Sequence, residues 1–524
     1  MSLKKENKQT SFFDTNYLCS DLLDEKDFYY IFRKEIYPLL KDEDFKKMYS
    51  DKGRNANSPK LNMYTMILQY NEHIPDRAAA RNVVFRLDWK YALNLEVDYK
   101  GFHFSNLSNF RKRLIENEAE GKVFERFIKE LEERGFIKRS GKQRIDATKI
   151  LGHINDISKY ECIGESMRLT LLYLKNNYEE VYKKINKNIR EKYSKKLSDF
   201  RMTEAEKARK FNEIGSDYLL IKIIIEKNKL NETKAEIKKF NQIFSENFDI
   251  VNGKAEKTKR KLKKKICSPH DPEVNIGKHG EKTWKGYKMQ ILETAEEGGE
   301  NFILHVEATP STEHDSVALK RILDKEIETE KSPVKIYGDS AYINGDTIQK
   351  ARDKGIELMG PMQKESSKGN KFKQEKFEIN LETKIAICPG NKKSKRYSHG
   401  KDRHGRPVIY FYFGKQCQTC PMKNKCTDNK NGRTLKIPYH YDLIHERRAL
   451  QKTKEFKKEM YNRNAIEGTI SELVRKHGIR TARYVGIIKT NLQLIFSALA
   501  VNVKRFIKII IKRITLGEIS PETQ

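Results

Sequence analysis

The sequence predicts an α/β protein: a mixed sheet with helices on both faces, preceded by an all-helical segment and interrupted by two insertions. Two observations carry this. Short apolar runs that read as strands recur at residues 144–150, 285–292, 302–306, 334–337 and 356–359, with helical spacing between most of them. Residues 27–117, in contrast, show only helical spacing.

The elements follow in chain order. Residues 1–25 are polar and aromatic without periodicity. Leu61, Tyr64, Ile67 and Leu68 recur at steps of three and four, and Pro75-Asp76 separates them from a second helix carrying Val83, Val84 and Leu87, with Asp76 as its cap. A third helix opens at Ser105 or Ser108 and carries Arg111, Lys112 and Arg113. Short helices joined by tight turns, the last one basic, suit a helix-turn-helix style DNA reader, and equally a plain helical packing domain. A further helix through Phe124–Glu133 ends near Gly135. Residues 161–239 are rich in Lys, Glu and Asn and read as a helical insertion. The run from Lys254 to Lys265, with Lys259, Arg260 and Lys261, reads as a basic stretch laid along phosphates or as a solvated linker. A hairpin through Lys285–Leu292 and Phe302–Val306 turns at Gly298-Gly299, and helices alternate with strands as far as Met359.

Length alone suggests about three or four domains for 524 residues. The composition divides the chain into a helical domain (1–135), the first strands of a core (136–160), a basic helical insertion (161–265), the core continued (266–363), a cysteine-containing insertion (364–445), the C-terminal helices of the core (446–514) and a tail (515–524).

The net charge of +32, from 105 Lys+Arg against 73 Asp+Glu, together with a mean hydropathy of −0.79, points to a polyanionic partner. Nucleic acid comes first because neutralising phosphates releases counterions; a membrane surface is second, and a lysine-favouring codon bias is the plain third reading. The polar N-terminus carries no export signal, which places the protein in the cytoplasm, associated with the nucleoid. The apolar run Thr490–Val503 is shorter than the roughly 20 residues needed to span a bilayer and reads as a buried helix.

Three acids stand out. Asp146 interrupts an apolar strand between Ile145 and Ile150; Asp339 follows Gly338 where the strand from Val334 ends; Glu467 opens a helix whose apolar face continues through Leu473 and Val474. Mg²⁺ or Mn²⁺ prefers oxygen ligands, and two such ions about 4 Å apart activate the attacking oxygen and stabilise the leaving one in phosphoryl displacement. Glu472 lies on nearly the same helix face and is the alternative to Glu467.

The Asp146 motif, the segment Ser268–Glu273 leading to Gly286–Gln290, Gly338-Asp339-Ser340-Ala341-Tyr342 and the Glu467 helix together resemble the DDE transposases of bacterial insertion sequences, with the nearest likeness to the IS1182-type within the broad IS4/IS5-like group. The resemblance runs from about residue 20 to 505. It implies a ribonuclease H-like core, an N-terminal helical DNA-binding domain, Asp146, Asp339 and Glu467 as ligands of two divalent ions, and cleavage and strand transfer of double-stranded DNA at terminal inverted repeats by at least a homodimer. A nuclease without strand transfer, or a DNA-binding protein whose catalytic site is unused, would share the same sequence features. Related enzymes commonly carry a tyrosine, an arginine and a lysine in fixed steps around the last acid. Arg463 is in place, Tyr461 stands one residue too close, and Val474 occupies the lysine position, with Arg475 and Lys476 beside it. Arg463, Arg475 and Lys476 are candidate phosphate contacts.

Seven cysteines without an export signal argue against a disulfide framework. Cys417 and Cys420 form a CxxC half-site, and with Cys388 and Cys426 could supply four thiolates to a structural Zn²⁺, or remain reduced thiols. Trp284, beside Lys282 and Lys285, reads as a base-stacking platform or as a ring packed under the sheet. Neither a Walker-type loop nor a dinucleotide fingerprint is present, so no nucleotide cofactor is implied.

Overall fold

The computed structural model describes residues 12–19, 22–50, 52–53, 55–154, 157–200, 202–230, 234–260, 265–328, 332–364, 371–402 and 405–518. A central sheet of six strands organises them: β1 (Lys142–Leu151), β2 (Asn275–His279), β3 (Lys282–Thr294), β4 (Ile303–Pro310), β5 (Lys335–Tyr337) and β6 (Glu357–Met359). The long β3 serves three antiparallel partners, pairing with β2 through residues 282–286, with β1 through 286–294 and with β4 through 287–293. On the other side of β1 the pairing is parallel, first to β5 and then from β5 to β6. This curled mixed sheet, antiparallel on one side of β1 and parallel on the other, is compatible with a ribonuclease H-like core.

Helices cover the sheet. The longest, Ile487–Thr515, contains the apolar run expected to be buried, and buries Leu492 through Val503 against β4 and the Pro59–Asn71 helix. Its Asn502 amide donates to the Ile303 carbonyl at 2.8 Å and accepts the Ile303 N–H at 2.9 Å, and Asn491 accepts the Ala308 N–H at 3.0 Å. Those amides satisfy backbone groups of β4 that another strand would otherwise take. Among the described residues no helix is long and apolar enough to cross a membrane.

The N-terminal helices do not form a core of their own. Their apolar faces join one continuous cluster with β1, β3, β4 and the C-terminal helix. The Pro59–Asn71 helix is buried almost all round, as a helix packed between layers must be. Asp76 starts the next helix, as expected, but does not cap it. Its carboxylate accepts from Gln69 Nε2 at 2.7 Å and from both terminal nitrogens of Arg111.

The helical insertion has a second core, from Tyr160 to Ile266. Within it, Lys254–Lys257 is a strand rather than a linker. Asn252 and Gly253 both have positive φ, 49° and 74°, and form the tight turn that pairs Lys254–Lys257 with Phe248–Val251. A third, small core of Phe377, Ala386, Ile409, Phe411, Phe413, Leu435, Ile437 and Tyr441 lies in the cysteine-containing insertion, over the strands Arg396–Lys401, Pro407–Tyr412 and Thr434–Pro438.

One glycine is required where β1 and β3 meet. Gly286 has φ +157°, and a Cβ there would lie 1.9 Å from the Ile150 carbonyl oxygen and 2.7 Å from the Gly152 nitrogen, both backbone atoms. Gly286→Ala should therefore push the two central strands apart and lower stability by roughly 2–4 kcal/mol, as strain at a special backbone position does. A urea titration of far-ultraviolet dichroism measures it as a lower midpoint with the slope unchanged.

Candidate active site

The parallel register between β1 and β5 ends at Arg144↔Tyr337; Asp146 follows two residues later on β1, and Asp339 two residues later, just past the end of β5. Gly338 lets the strands come this close: a Cβ there would lie 3.2 Å from Ile145 Cγ2. Each aspartate has one oxygen held locally, Asp146 Oδ1 by the Ala147 N–H at 2.8 Å and Asp339 Oδ1 by the Ala341 N–H at 2.8 Å. The loop after Asp339 is fixed to β3. The Tyr342 hydroxyl donates to Gln290 Oε1, Gln290 Nε2 donates to Asp315 Oδ1 at 2.9 Å, and Lys288 Nζ lies 2.5 Å from the same oxygen.

The third acid comes from far along the chain. The short Tyr461–Asn464 helix brings Arg463 Nη2 to 2.9 Å from Asp146 Oδ2, with only 18% and 14% of the two side chains exposed. Glu467 follows in the first turn of the Ile466–Arg475 helix and is exposed. Burial pushes the Asp146 carboxyl up to about 6; the Arg463 guanidinium and the Ala147 N–H pull it down, and the Asp339 and Glu467 carboxylates push it up again. Asp339 and Glu467 thus both act on the charge of Asp146. Glu472, the alternative third acid, is turned away, engaged by Lys504 and by Arg505 Nη2 at 3.2 Å, which hold its carboxyl below the usual range against the opposing effect of burial.

Among the described residues no three Asp, Glu, His or Cys side chains stand close enough to hold a metal ion as they are. The donor set still fits a hard divalent cation. Asp146, Asp339 and Glu467 offer only oxygen, the donor type such a cation prefers.

The predicted DNA contacts divide. Arg111 is buried and bidentate on Asp76, which removes it from a phosphate-facing role. Arg113 Nη1 donates to the Met48 carbonyl at 3.1 Å, with its guanidinium over the Tyr49 ring. Lys112 is exposed, 3.6 Å from Glu116. Lys259 is exposed; Arg260 lies at the surface but pairs with Asp249 at 2.6 Å, and Lys261 falls outside the described residues. Arg475 and Lys476 are exposed at the end of the Glu467 helix. Trp284 is half-buried. Its ring lies over Gly277, its cross-strand partner, and its N–H donates to the Tyr287 carbonyl at 3.3 Å.

The four clustered cysteines are free thiols. The Arg433 N–H donates to Cys417 Sγ at 3.4 Å, and a Cβ on Gly390 would lie 3.7 and 3.8 Å from the sulfurs of Cys388 and Cys420. Burial pushes the Cys426 thiol up, Arg433 opposes this, and the Cys417, Cys388 and Cys420 sulfurs add to it.

Sequence reasoning missed Asp315 and Glu293 as parts of this region, and gave no role to Arg144 and Gln290, which lie in its motifs. A signal existed: Arg144 shares a strand face with Asp146 because side chains alternate, and Gln290 and Glu293 are polar positions inside an otherwise apolar strand.

Two family models match the chain. Residues 387–507 match a model described as Transposase DDE domain, and residues 18–113 match one described as Transposase domain (DUF772). The first match includes the four cysteines, Arg463 and Glu467; Asp146 and Asp339 lie outside both. No curated protein and no solved structure matches.

A carboxyl whose value rises from 3.8 to about 6 on folding binds its proton more tightly in the fold than in the unfolded chain. Its contribution to stability is present below pH 4 and is lost as pH rises through 6. In metal-free buffer the wild type should therefore lose on the order of 2 kcal/mol relative to Asp146→Asn between pH 4 and pH 7. Paired chemical denaturations across that range measure the difference; Mg²⁺ or Mn²⁺ should restore part of the loss in the wild type alone.

Proposed function

Because the chain belongs to the DDE transposases of insertion sequences, we propose that it cleaves DNA at terminal inverted repeats and joins the freed ends to target DNA, with Asp146, Asp339 and Glu467 as the acids that hold two Mg²⁺ or Mn²⁺ ions. The observation that carries the reading is electrostatic. The Asp339 and Glu467 carboxylates, from two distant parts of the chain, act on the proton affinity of Asp146, which has a guanidinium 2.9 Å away.

Held by these acids, the cations would supply activation of the attacking oxygen and stabilisation of the leaving one. The chain's own groups do the rest. Asp146 must be ionised to serve as a ligand, and Arg463 favours that form. Ala147 and Ala341 orient one oxygen of each aspartate, and the second oxygen of Asp146 faces Arg463. The Tyr342–Gln290–Asp315 chain keeps the Asp339 loop against β3. Exposed Arg475 and Lys476 lie on the same helix as Glu467, where cations steer the sugar-phosphate backbone. Joining two ends requires at least two protomers in the active complex.

Purified protein with matched terminal repeats and Mn²⁺ should nick or cleave at the ends and, given target DNA, yield joined product. Asp146→Asn should reduce cleavage by about a thousandfold or more while leaving end binding intact. Binding itself should weaken with salt at a log-log slope near −0.9 for each phosphate neutralised. Full-rate cleavage by the Asn variant removes the assignment of the acids, and cleavage without joining leaves a nuclease.

The Cys388, Cys417, Cys420 and Cys426 thiols are read as ligands of a structural Zn²⁺ that staples a region whose own core is small. What supports this is the effect of the Cys388, Cys417 and Cys420 sulfurs on Cys426, and the approach of Cys388 and Cys420 around Gly390; the four must still draw closer to bind. Protein purified without an affinity tag should carry about one zinc per chain, and Co²⁺ substitution should produce a thiolate charge-transfer band that Cys420→Ser weakens. Zinc-free protein with four titratable thiols and no cobalt band would mean reduced cysteines only.

A further inference from the structure

We infer that Glu293 is a positioning residue for the reaction: a buried carboxylate that ties the Asp146 strand to the helix carrying Glu467. The inference rests on the reading of those acids as the cation-holding groups.

Arg144 and Glu293 face each other across the β1–β3 pairing, and Arg144 Nε donates to Glu293 Oε1 at 2.6 Å, with 5% and 0% of the side chains exposed. The other end of the same guanidinium, Nη1, donates to the Asn462 carbonyl at 2.9 Å. The second Glu293 oxygen accepts the Thr469 hydroxyl at 2.6 Å. Arg505, from the C-terminal helix, donates through Nη2 to the Thr469 hydroxyl oxygen at 2.8 Å and to Glu472 at 3.2 Å, while its Nη1 lies 3.5 Å from Glu293.

The placement of these partners gives the cluster its meaning. Arg144 is two residues before Asp146, Asn462 is the residue before Arg463, and Thr469 is two residues after Glu467. One carboxylate thus reaches, directly or through Arg144, each of the two elements that meet at the site, within two residues of every group they contribute. A buried ion cluster is a weak source of stability compared with apolar packing of the same volume, but its short directional bonds specify one arrangement. Here they set the rotation of the Ile466–Arg475 helix about its axis. A slip of one residue turns a helix by about 100° and would swing Glu467 off the face of Asp146. None of these groups touches the reacting atoms, so they act through Asp146, Arg463 and Glu467.

Thr469→Val keeps side-chain volume and removes only the hydroxyl, and Thr469→Ser puts the hydroxyl back. Mn²⁺ binding followed by electron paramagnetic resonance, and single-turnover end cleavage at varied Mn²⁺, should both show half-saturation raised about tenfold in Thr469→Val, as loss of an outer-shell partner does, with terminal-repeat DNA affinity unchanged. Thr469→Ser should return both readouts toward the wild type, and Glu293→Gln, if folded, should exceed Thr469→Val. A Thr469→Val protein that melts earlier but keeps the wild-type Mn²⁺ half-saturation would overturn the inference, because the cluster would then serve folding alone. A wild type that neither binds Mn²⁺ nor cuts ends would instead remove the reading of the acids beneath it.

Discussion

Hydrogen bonding between β1 and β5 lasts three residue pairs, from Lys142↔Lys335 to Arg144↔Tyr337, and the candidate site depends on where it stops. Side chains on a strand alternate between faces, so a residue two places beyond a registered pair emerges on the same face as that pair. Asp146 occupies that place on β1, and Asp339 stands at the same offset just past the end of β5. A register shifted by one residue would send one carboxylate through the sheet to the other side. Gly338 permits the approach, and the return of the chain near residue 463 then brings an arginine onto Asp146.

The insertions respect this geometry. β1, β5 and β6 run in the same direction, and the chain leaves the sheet for its two excursions after β1 and after β6, from carboxyl ends like the one that Asp339 follows. Each excursion has its own apolar core, so neither has to be threaded through the sheet. The N-terminal helices differ. They contribute to the main core through the C-terminal helix, and a change there would be felt in the packing of β4.

Charge is spent inside as well as outside. Arg111, Arg139, Arg144, Arg447 and Arg505 are all buried in a chain whose net charge is +32. Arginine suits this use because its planar fork satisfies two acceptors at once and is more weakly hydrated than an ammonium. A basic cluster in the sequence therefore mixes two populations. In Arg111-Lys112-Arg113 the first residue is locked onto Asp76, the second is at the surface and the third is held by a backbone carbonyl.

The strands were legible because β-branched and aromatic runs bounded by glycine have few other uses, and Asp146 and Asp339 were legible because an acid in or at the end of such a run is costly unless something holds it. Glu467 was less so: Glu472 follows it on the same helix, and the capture of Glu472 by Lys504 and Arg505 separates the two. The Asn252-Gly253 turn was present as a dipeptide, yet the surrounding lysines read as a linker; the buried Ala255 and the positive φ angles show a hairpin. Glu293 was marked only as a polar position in an apolar strand; its partners, Arg144 and Thr469, come from elsewhere in the chain.

By itself the amino-acid order determined the periodicities, hence which segments are strands and helices, and which of them carry an acid where apolar residues would otherwise stand. Only the tertiary structure decided which charges face one another. Asp146 with Arg463, Arg144 with Glu293 and Asp76 with Arg111 are separated by 317, 149 and 35 residues. Electrostatic pairing depends on distance and burial in space, and neither is encoded within the few residues over which a local pattern extends.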